Sequence, residues 1–340
     1  MEDTKYSLIE MLRYRRPEGS ETQRIFCEKY LEPVFGEPDA HGNYIKLINY
    51  PNGGLPYLCF TAHHDTVHIN DGMQHLVVNG DKIMASDSNC LGADCTTGVW
   101  LILEMIEAGI PGIYVIHAGE EVGCKGSSAM LRDHPAWLDH TKAVISFDRK
   151  GEESIITHQM GCRTASDAFA VSLSDALGLP QLRPDNTGAY TDSNEYVDVV
   201  GECTNISVGY LNQHTKNESQ DLFFAYFLLE HLKAADWSKL VFEREPGSFE
   251  ADRSYYSTGW GGRYDMWDDA AAYSRKGYSI LNLRGQVRGR NETELVDIIK
   301  DYPDEVAELL DEWGVDSSYL MEQLEQMLYL GYTSDAKVSK

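Results

Sequence analysis

Residues 57–65 read YLCFTAHHD, an apolar run that ends abruptly in two imidazoles and a carboxylate. It follows the turn-forming stretch PNGGLP (51–56), so the pattern predicts a buried strand feeding a loop. Three further runs share this form: GIYVIHAGEE (112–121), KAVISFD (142–148) and TNISVGYLNQH (204–214) each finish in His, Asp or Glu. Between them, CTTGVWLILEMIEAG (95–109) predicts a helix closed by Gly109, and helices are expected over 126–133 and 165–177. Apolar strands alternating with helices predict an α/β fold. Its expected form is three-layered, a central mixed, mostly parallel sheet with helices on both faces. Ligands of such sheets collect beyond the carboxyl ends of the strands. Polar residues at that edge are therefore the candidates for chemistry.

The rest of the chain is read the same way. Apolar residues at helical spacing mark 4–13 and 20–31, the second with Ser20 as N-cap and Gln23 completing a capping box. HLVVNGDKIMA (75–85) predicts a hairpin turning at Asn79-Gly80, and 218–237 a long helix. Beyond residue 240 the character changes. Residues 243–292 are rich in Gly, Arg, Tyr and Trp without a period, and 292–330 predict two acidic amphipathic helices broken near Trp313-Gly314. The expected division is a sheet domain over 1–240, then an irregular linker and acidic helical extension over 241–340.

Composition narrows the function. Twenty-nine Lys and Arg face 54 Asp and Glu, a net charge of -25, which excludes a phosphate-backbone partner and docking on anionic membranes. No apolar run approaches the roughly 18 residues of a spanning helix. The opening MEDTKYSLIEMLRYRRPEGS has no apolar signal-peptide core. Seven cysteines, none in a C-x-x-C pair, read as reduced thiols. A soluble, acidic, cytoplasmic protein is expected.

Taken in order, the edge residues are His63 and Asp65, Asp94, Glu120 and Glu121, Asp148, and His214. Imidazoles with carboxylates suit Zn2+, Mn2+ or Co2+. The carboxylates are too many for one tetrahedral site but fit two ions sharing a bridge, roughly 3.5–4 Å apart. Such a centre also needs a carboxylate that takes and returns protons. The adjacent pair Glu120-Glu121 offers one ligand and one base.

At this point the chain resembles a known group. HHDTV (63–67) is similar to the H-x-D-x-V strand end of the co-catalytic dizinc exopeptidases, which include peptidase T and related aminopeptidases and carboxypeptidases. LGADCTTG (91–98), GEEVGCKGS (119–127), SFDRKG (146–151) and NQHTKNES (212–219) resemble their remaining motifs, in the same order. The resemblance covers roughly 20–235 and implies a zinc-peptidase fold. It also implies that His63, Asp94 and Asp148 hold one metal and that Asp94, Glu121 and His214 hold the other, with Asp94 bridging. Glu120 is then the general base, and Asp65 accepts a hydrogen bond from His63. In this family the bond after the bridging aspartate, here Asp94-Cys95, is often cis. Many members insert a lid domain between the third carboxylate and the last histidine. Only 65 residues (214 − 148 − 1) separate Asp148 from His214, so a lidless catalytic domain is expected.

The implied function is an exopeptidase acting on small peptides through a hydroxide shared by two metals, with a homo-oligomer as a possible state. Aminopeptidase is preferred to carboxypeptidase because position 148 is Asp, which in the resembling family tends to accompany aminopeptidases. The rivals are an N-acyl amino acid amidohydrolase of the same fold and a non-catalytic binding or assembly protein. Thr191, Asp192 and Ser193, in GAYTDSNEY (188–196), are candidate substrate contacts. His64 fills the variable position of H-x-D and is expected to point away, because alternate strand residues face opposite sides. His68 and His75 are read as ordinary polar residues, His117 and His158 as structural, and Cys90, Cys95 and Cys124 as small packed thiols.

Overall fold

A computed structural model describes residues 4–248. The acidic helices expected over 292–330 and most of the linker before them lie outside the described residues.

The elements that position the site are β1 (Tyr44–Ile48), β2 (Leu58–His63), β3 (Leu76–Asn79), β4 (Lys82–Ala85), α1 (Ala93–Glu107) and β5 (Gly112–His117). They continue with α2 (Lys125–Asp133), β6 (Ala143–Arg149), β7 (Ser154–Ile156), α3 (Asp167–Leu177) and β8 (Arg183–Asp185). The last are β9 (Glu202–Ser207), β10 (Tyr210–Leu211), β11 (Ser219–Asp221) and α4 (Leu222–Ala234). A seven-stranded sheet runs β8-β7-β9-β6-β2-β5-β1. Its centre, β9-β6-β2-β5, is parallel; β1 joins β5 antiparallel, and β7 joins β9 antiparallel. The sheet is thus mixed and mostly parallel. A second sheet of β10-β11-β4-β3 stands beside it.

The central strands are apolar along their length because both faces are covered. Leu58, Phe60 and Ala62 of β2 enter a large core with α1, α3 and α4, while Cys59 enters a smaller one with Met130 of α2 and Tyr196. Phe60 stacks on Phe147 of β6 and Tyr114 of β5, with centroids 5.9 and 5.4 Å away. Residues 93–105 of α1 are buried throughout. Gly98 lets this helix press onto the sheet, since a Cβ there would lie 2.2 Å from the Phe147 carbonyl oxygen. That close approach brings the start of α1, with Asp94, to the end of β6, with Asp148. Between Asp148 and His214 the chain builds β7, α3, β8, β9 and β10.

The local readings hold in outline and shift in detail. Ser20 caps its helix, its side chain accepting from Gln23 N, but the Gln23 amide reaches the Gly19 N–H and not that of Ser20. This helix widens into a π turn over Cys27–Leu31, just before Pro33, whose nitrogen carries no proton for the carbonyl four residues back. The first helix shrinks to Leu8–Met11, because Tyr14 and Arg15 pair with Met73 and Gly72. The hairpin turns at Gly80-Asp81, since Asn79 pairs with Lys82 and Gly80 takes φ 62°. The long helix starts only at Leu222: Ser219, Gln220 and Asp221 pair with Met84, Ile83 and Lys82, and the Asp221 side chain caps Phe224 N.

Candidate metal centre

His63 is the last residue of β2, Asp148 the sixth of β6, and Glu120-Glu121 follow the end of β5 after Ala118 and Gly119. Three strand ends therefore meet the start of α1 and the loop after β10. His63 Nε2 lies 3.1 Å from Asp94 Oδ1 and 3.6 Å from Asp148 Oδ1. His214 Nε2 lies 3.3 Å from Asp94 Oδ2 and 3.1 Å from Glu121 Oε1. Asp94 thus turns one oxygen to each imidazole. The Asp94-Cys95 peptide bond is cis.

Two atoms test whether the set fits a cation. Glu121 Oε1 and His214 Nε2 are buried and close together, yet neither has a hydrogen-bond partner. Buried polar atoms are rarely left so, and an imidazole nitrogen and a carboxylate oxygen 3.1 Å apart without hydrogen-bond geometry suit a shared ion. The ligand atoms of Asp94, Glu121 and His214 all lie within 4.8 Å of one another. His63, Cys95 and Asp148 gather as closely. The Cys95 thiol, however, donates to the Phe147 carbonyl at 3.0 Å, and burial pushes it well above the usual thiol range. It is a packed thiol, as are Cys90 and Cys124, 1% and 4% exposed.

Electrostatics are those of an acidic cluster. Burial works against charge on both imidazoles, but the surrounding acids outweigh it and hold His63 and His214 well above their ordinary range. Burial likewise opposes ionisation of Asp94, yet His214 and His63 keep it well below the carboxylate range. Asp148 moves the other way, raised by burial and then by Asp94. Glu120 is raised well above its usual value, first by burial and then by Glu121, Asp148 and Asp192, with His63 opposing. Carboxylates held above their usual range suit proton transfer near neutral pH.

Asp65 does more than orient His63. The His63 Nδ1 atom sits 3.1 Å from the Asp65 carbonyl and 3.3 Å from its carboxylate. That carboxylate also accepts from the backbone N–H groups of Glu120 and Glu121, at 3.1 and 3.0 Å. One buried acid therefore aligns a ring and a glutamate pair. The Cys124 thiol touches Glu120 Oε1 at 3.7 Å.

The other histidines stay apart from this cluster. His64 points the opposite way, to Gln23 Nε2 and the Gly42 carbonyl. His117 is fully buried beside Asn43 and Tyr196 Oη, and His158 contacts Thr157 Oγ1. His75 is exposed, but His68 is only 3% exposed, wedged between Thr66 and Gln74. Of the three substrate candidates, Asp192 lies close enough to raise Glu120, accepts from Ser127 Oγ at 2.6 Å, and is itself pushed up to about 7 by burial. Thr191 and Ser193 are tied to the Gln159 side chain.

Three supporting residues were not singled out from the sequence. Tyr210 Oη donates to Asp148 Oδ1 at 3.3 Å, and Asn205 holds the Asp148 backbone by both its N–H and its carbonyl. Glu218 accepts from four successive N–H groups, Leu91 to Asp94. Its one trace in the sequence is its place at the end of the NQHTKNES motif.

The comparisons with known proteins point to a metallopeptidase, a hydrolase of peptide bonds. Residues 43–177 match the model of Peptidase family M28, a span that carries four of the five motifs. The resemblance to the co-catalytic exopeptidases therefore holds. No curated protein matches the chain. Among solved structures it is similar to a Staphylococcus aureus tripeptidase, at 15% identity over 67% of this chain and 95% of that one, with a TM-score of 0.54. Aminopeptidase PepT from Bacillus cereus gives 16%, 67% and 95%, with 0.52. The TET1 peptidase of Pyrococcus horikoshii gives 16%, 67% and 98%, with 0.53. At these identities the likeness is one of fold. No helix among the described residues is long and apolar enough to cross a membrane.

Proposed function

We propose that the chain is a metal-dependent aminopeptidase acting on small peptides, with two divalent ions, Zn2+ by preference and Mn2+ or Co2+ as substitutes. The observation that carries this reading is the Asp94 carboxylate, set between His63 with Asp148 on one side and His214 with Glu121 on the other. His63, Asp94 and Asp148 would hold one ion, and Asp94, Glu121 and His214 the second. When bound, such ions polarise a carbonyl and lower the pKa of water.

The chain's own residues do the rest. Glu120 takes the proton of the attacking water and returns it to the leaving amine. Asp65 keeps that carboxylate in place through the N–H groups it binds, and fixes the His63 ring. Asp192, which acts on Glu120 electrostatically, is the candidate contact for a free α-amine. The names of the similar structures, an aminopeptidase and a tripeptidase, support the preference for short peptides with a free amino end. The dodecamer recorded for a TET1 structure supports a homo-oligomeric state.

The test is hydrolysis by metal-loaded protein of di- and tripeptides with free or acetylated amino ends, beside N-acetyl amino acids. Cleavage of the free-amino peptides, abolished by a chelator, is expected. Cleavage confined to N-acetyl amino acids would make the chain a deacylase. Metal uptake without any hydrolysis would make it a binding protein.

A further inference from the structure

Glu218 is 1% exposed and belongs to none of the ligand trios. Its Oε2 accepts from Leu91 N at 2.9 Å and Gly92 N at 3.0 Å; its Oε1 accepts from Ala93 N at 2.8 Å and Asp94 N at 3.2 Å. Four consecutive N–H groups can converge on one carboxylate because Gly92 adopts φ +71°. Successive amides turned inward in this way form an anion-binding nest. Any side chain at Gly92 would also collide with the His68 ring, its Cβ 2.7 Å from Cε1. The nest is filled from within the chain, by a residue four positions after His214.

That spacing matters. His214 sits at φ +64° in the loop after β10, while Ser219, next to Glu218, is locked into β11 opposite Met84. Through Glu218 this segment is bolted to the backbone of Leu91–Asp94. The two ligands that face each other across the second subsite, Asp94 Oδ2 and His214 Nε2, are therefore held by one carboxylate. His63 and Asp148 are placed independently, by the ends of β2 and β6.

We infer that Glu218 is a positioning residue that sets the metal affinity of the Asp94–Glu121–His214 subsite selectively over that of the His63–Asp94–Asp148 subsite. The inference rests on the two-ion reading given above. Glu218→Gln replaces two acceptor oxygens by one oxygen and an NH2 group that opposes the N–H donors. His214 and the shared ligand Asp94 then lose their common anchor, so the subsite that depends on both loosens more than the one whose other ligands, His63 and Asp148, stand on β2 and β6.

The experiment is a calorimetric Zn2+ titration of the full-length protein after chelator stripping, comparing wild type, Glu218→Gln and His214→Ala. Wild type should take up two ions. Glu218→Gln should weaken one step roughly 10- to 100-fold, the usual effect of losing a residue that supports a metal ligand, and weaken the other, which shares only Asp94, clearly less. The weakened step should be the one that His214→Ala abolishes. Glu218→Asp, which retains the charge one methylene short, should show the same selective loss in smaller measure, and it decides the matter if the glutamine variant does not fold. Both steps weakening equally would mean general loosening and would overturn the inference, as would no change in either step. A wild type that binds fewer than two ions would overturn the two-ion reading itself, and the inference with it.

Discussion

Acid should destabilise this fold through His68 before it touches the bulk of the surface carboxylates. The ring is 3% exposed and packs against Gly92, behind the nest that holds Asp94. Gln74 donates its amide to the Leu12 and Leu91 carbonyls, so its oxygen is left to accept from His68 Nε2 at 3.1 Å. Nδ1 then accepts from Thr66 Oγ1 at 2.8 Å. The ring is thus set as the neutral Nε2–H tautomer. Burial, and then the Arg16 charge against the help of Gln74, lowers it to about 4. In the unfolded chain the same ring titrates near 6.5. The unfolded state therefore binds the proton first, and stability present above pH 6.5 is lost as pH falls toward 4. At about 1.4 kcal/mol per pH unit the gap amounts to about 3 kcal/mol, with about 2 kcal/mol already gone by pH 5. Urea unfolding of metal-free protein, followed by tryptophan fluorescence at pH 7, 6, 5 and 4.5, measures it when wild type is set beside His68→Gln. Groups common to both proteins cancel in the difference. The variant is expected to be the less stable at pH 7 and to close the gap as pH falls. A stability difference that stays constant across this range would refute the reasoning.

Other outcomes follow from the same geometry. Glu120→Gln should retain both ions by metal analysis while turnover falls by roughly 10²–10⁴-fold, the usual share of a general base; substantial remaining activity would remove Glu120 from that role. His64→Ala should cost about 1–3 kcal/mol of stability through its lost bonds to Gln23 and Gly42, with metal content unchanged by elemental analysis. Gly98→Ala should lower the denaturation midpoint by an amount equivalent to about 1–3 kcal/mol or more. Its Cβ would lie 2.2 Å from the Phe147 carbonyl and 2.5 Å from Cys95 Sγ, pushing apart the segments that carry Asp148 and Asp94, so metal uptake should fall as well.

The strand ends were legible because a buried parallel strand must be apolar along its length and becomes polar where the sheet stops. Alternation read across 63–65 sufficed to separate His63 and Asp65 from His64, although β2 itself ends at His63. What Asp65 grips was not legible: the N–H groups of Glu120 and Glu121 come from another strand end, 55 and 56 residues away in sequence. The same holds for Ser219–Asp221, whose helical spacing was overridden by pairing with Lys82–Met84. Local preference is a weak prior when a partner strand supplies hydrogen bonds. His68 looked like a loop residue because nothing adjacent in sequence shows that Gly92 and Gln74 enclose it. Glu218 carried a motif position without a visible task, since its four partners lie 124 to 127 residues earlier.

The central claim is that Asp94 bridges two ions between two separate ligand pairs. Crystals of Zn2+-loaded protein, with anomalous difference maps recorded on either side of the zinc edge, test it directly. The account predicts two peaks roughly 3.5–4 Å apart, one against His63 and Asp148 and the other against Glu121 and His214, with Asp94 between them. A single peak, or zinc bound away from Asp94, would contradict it.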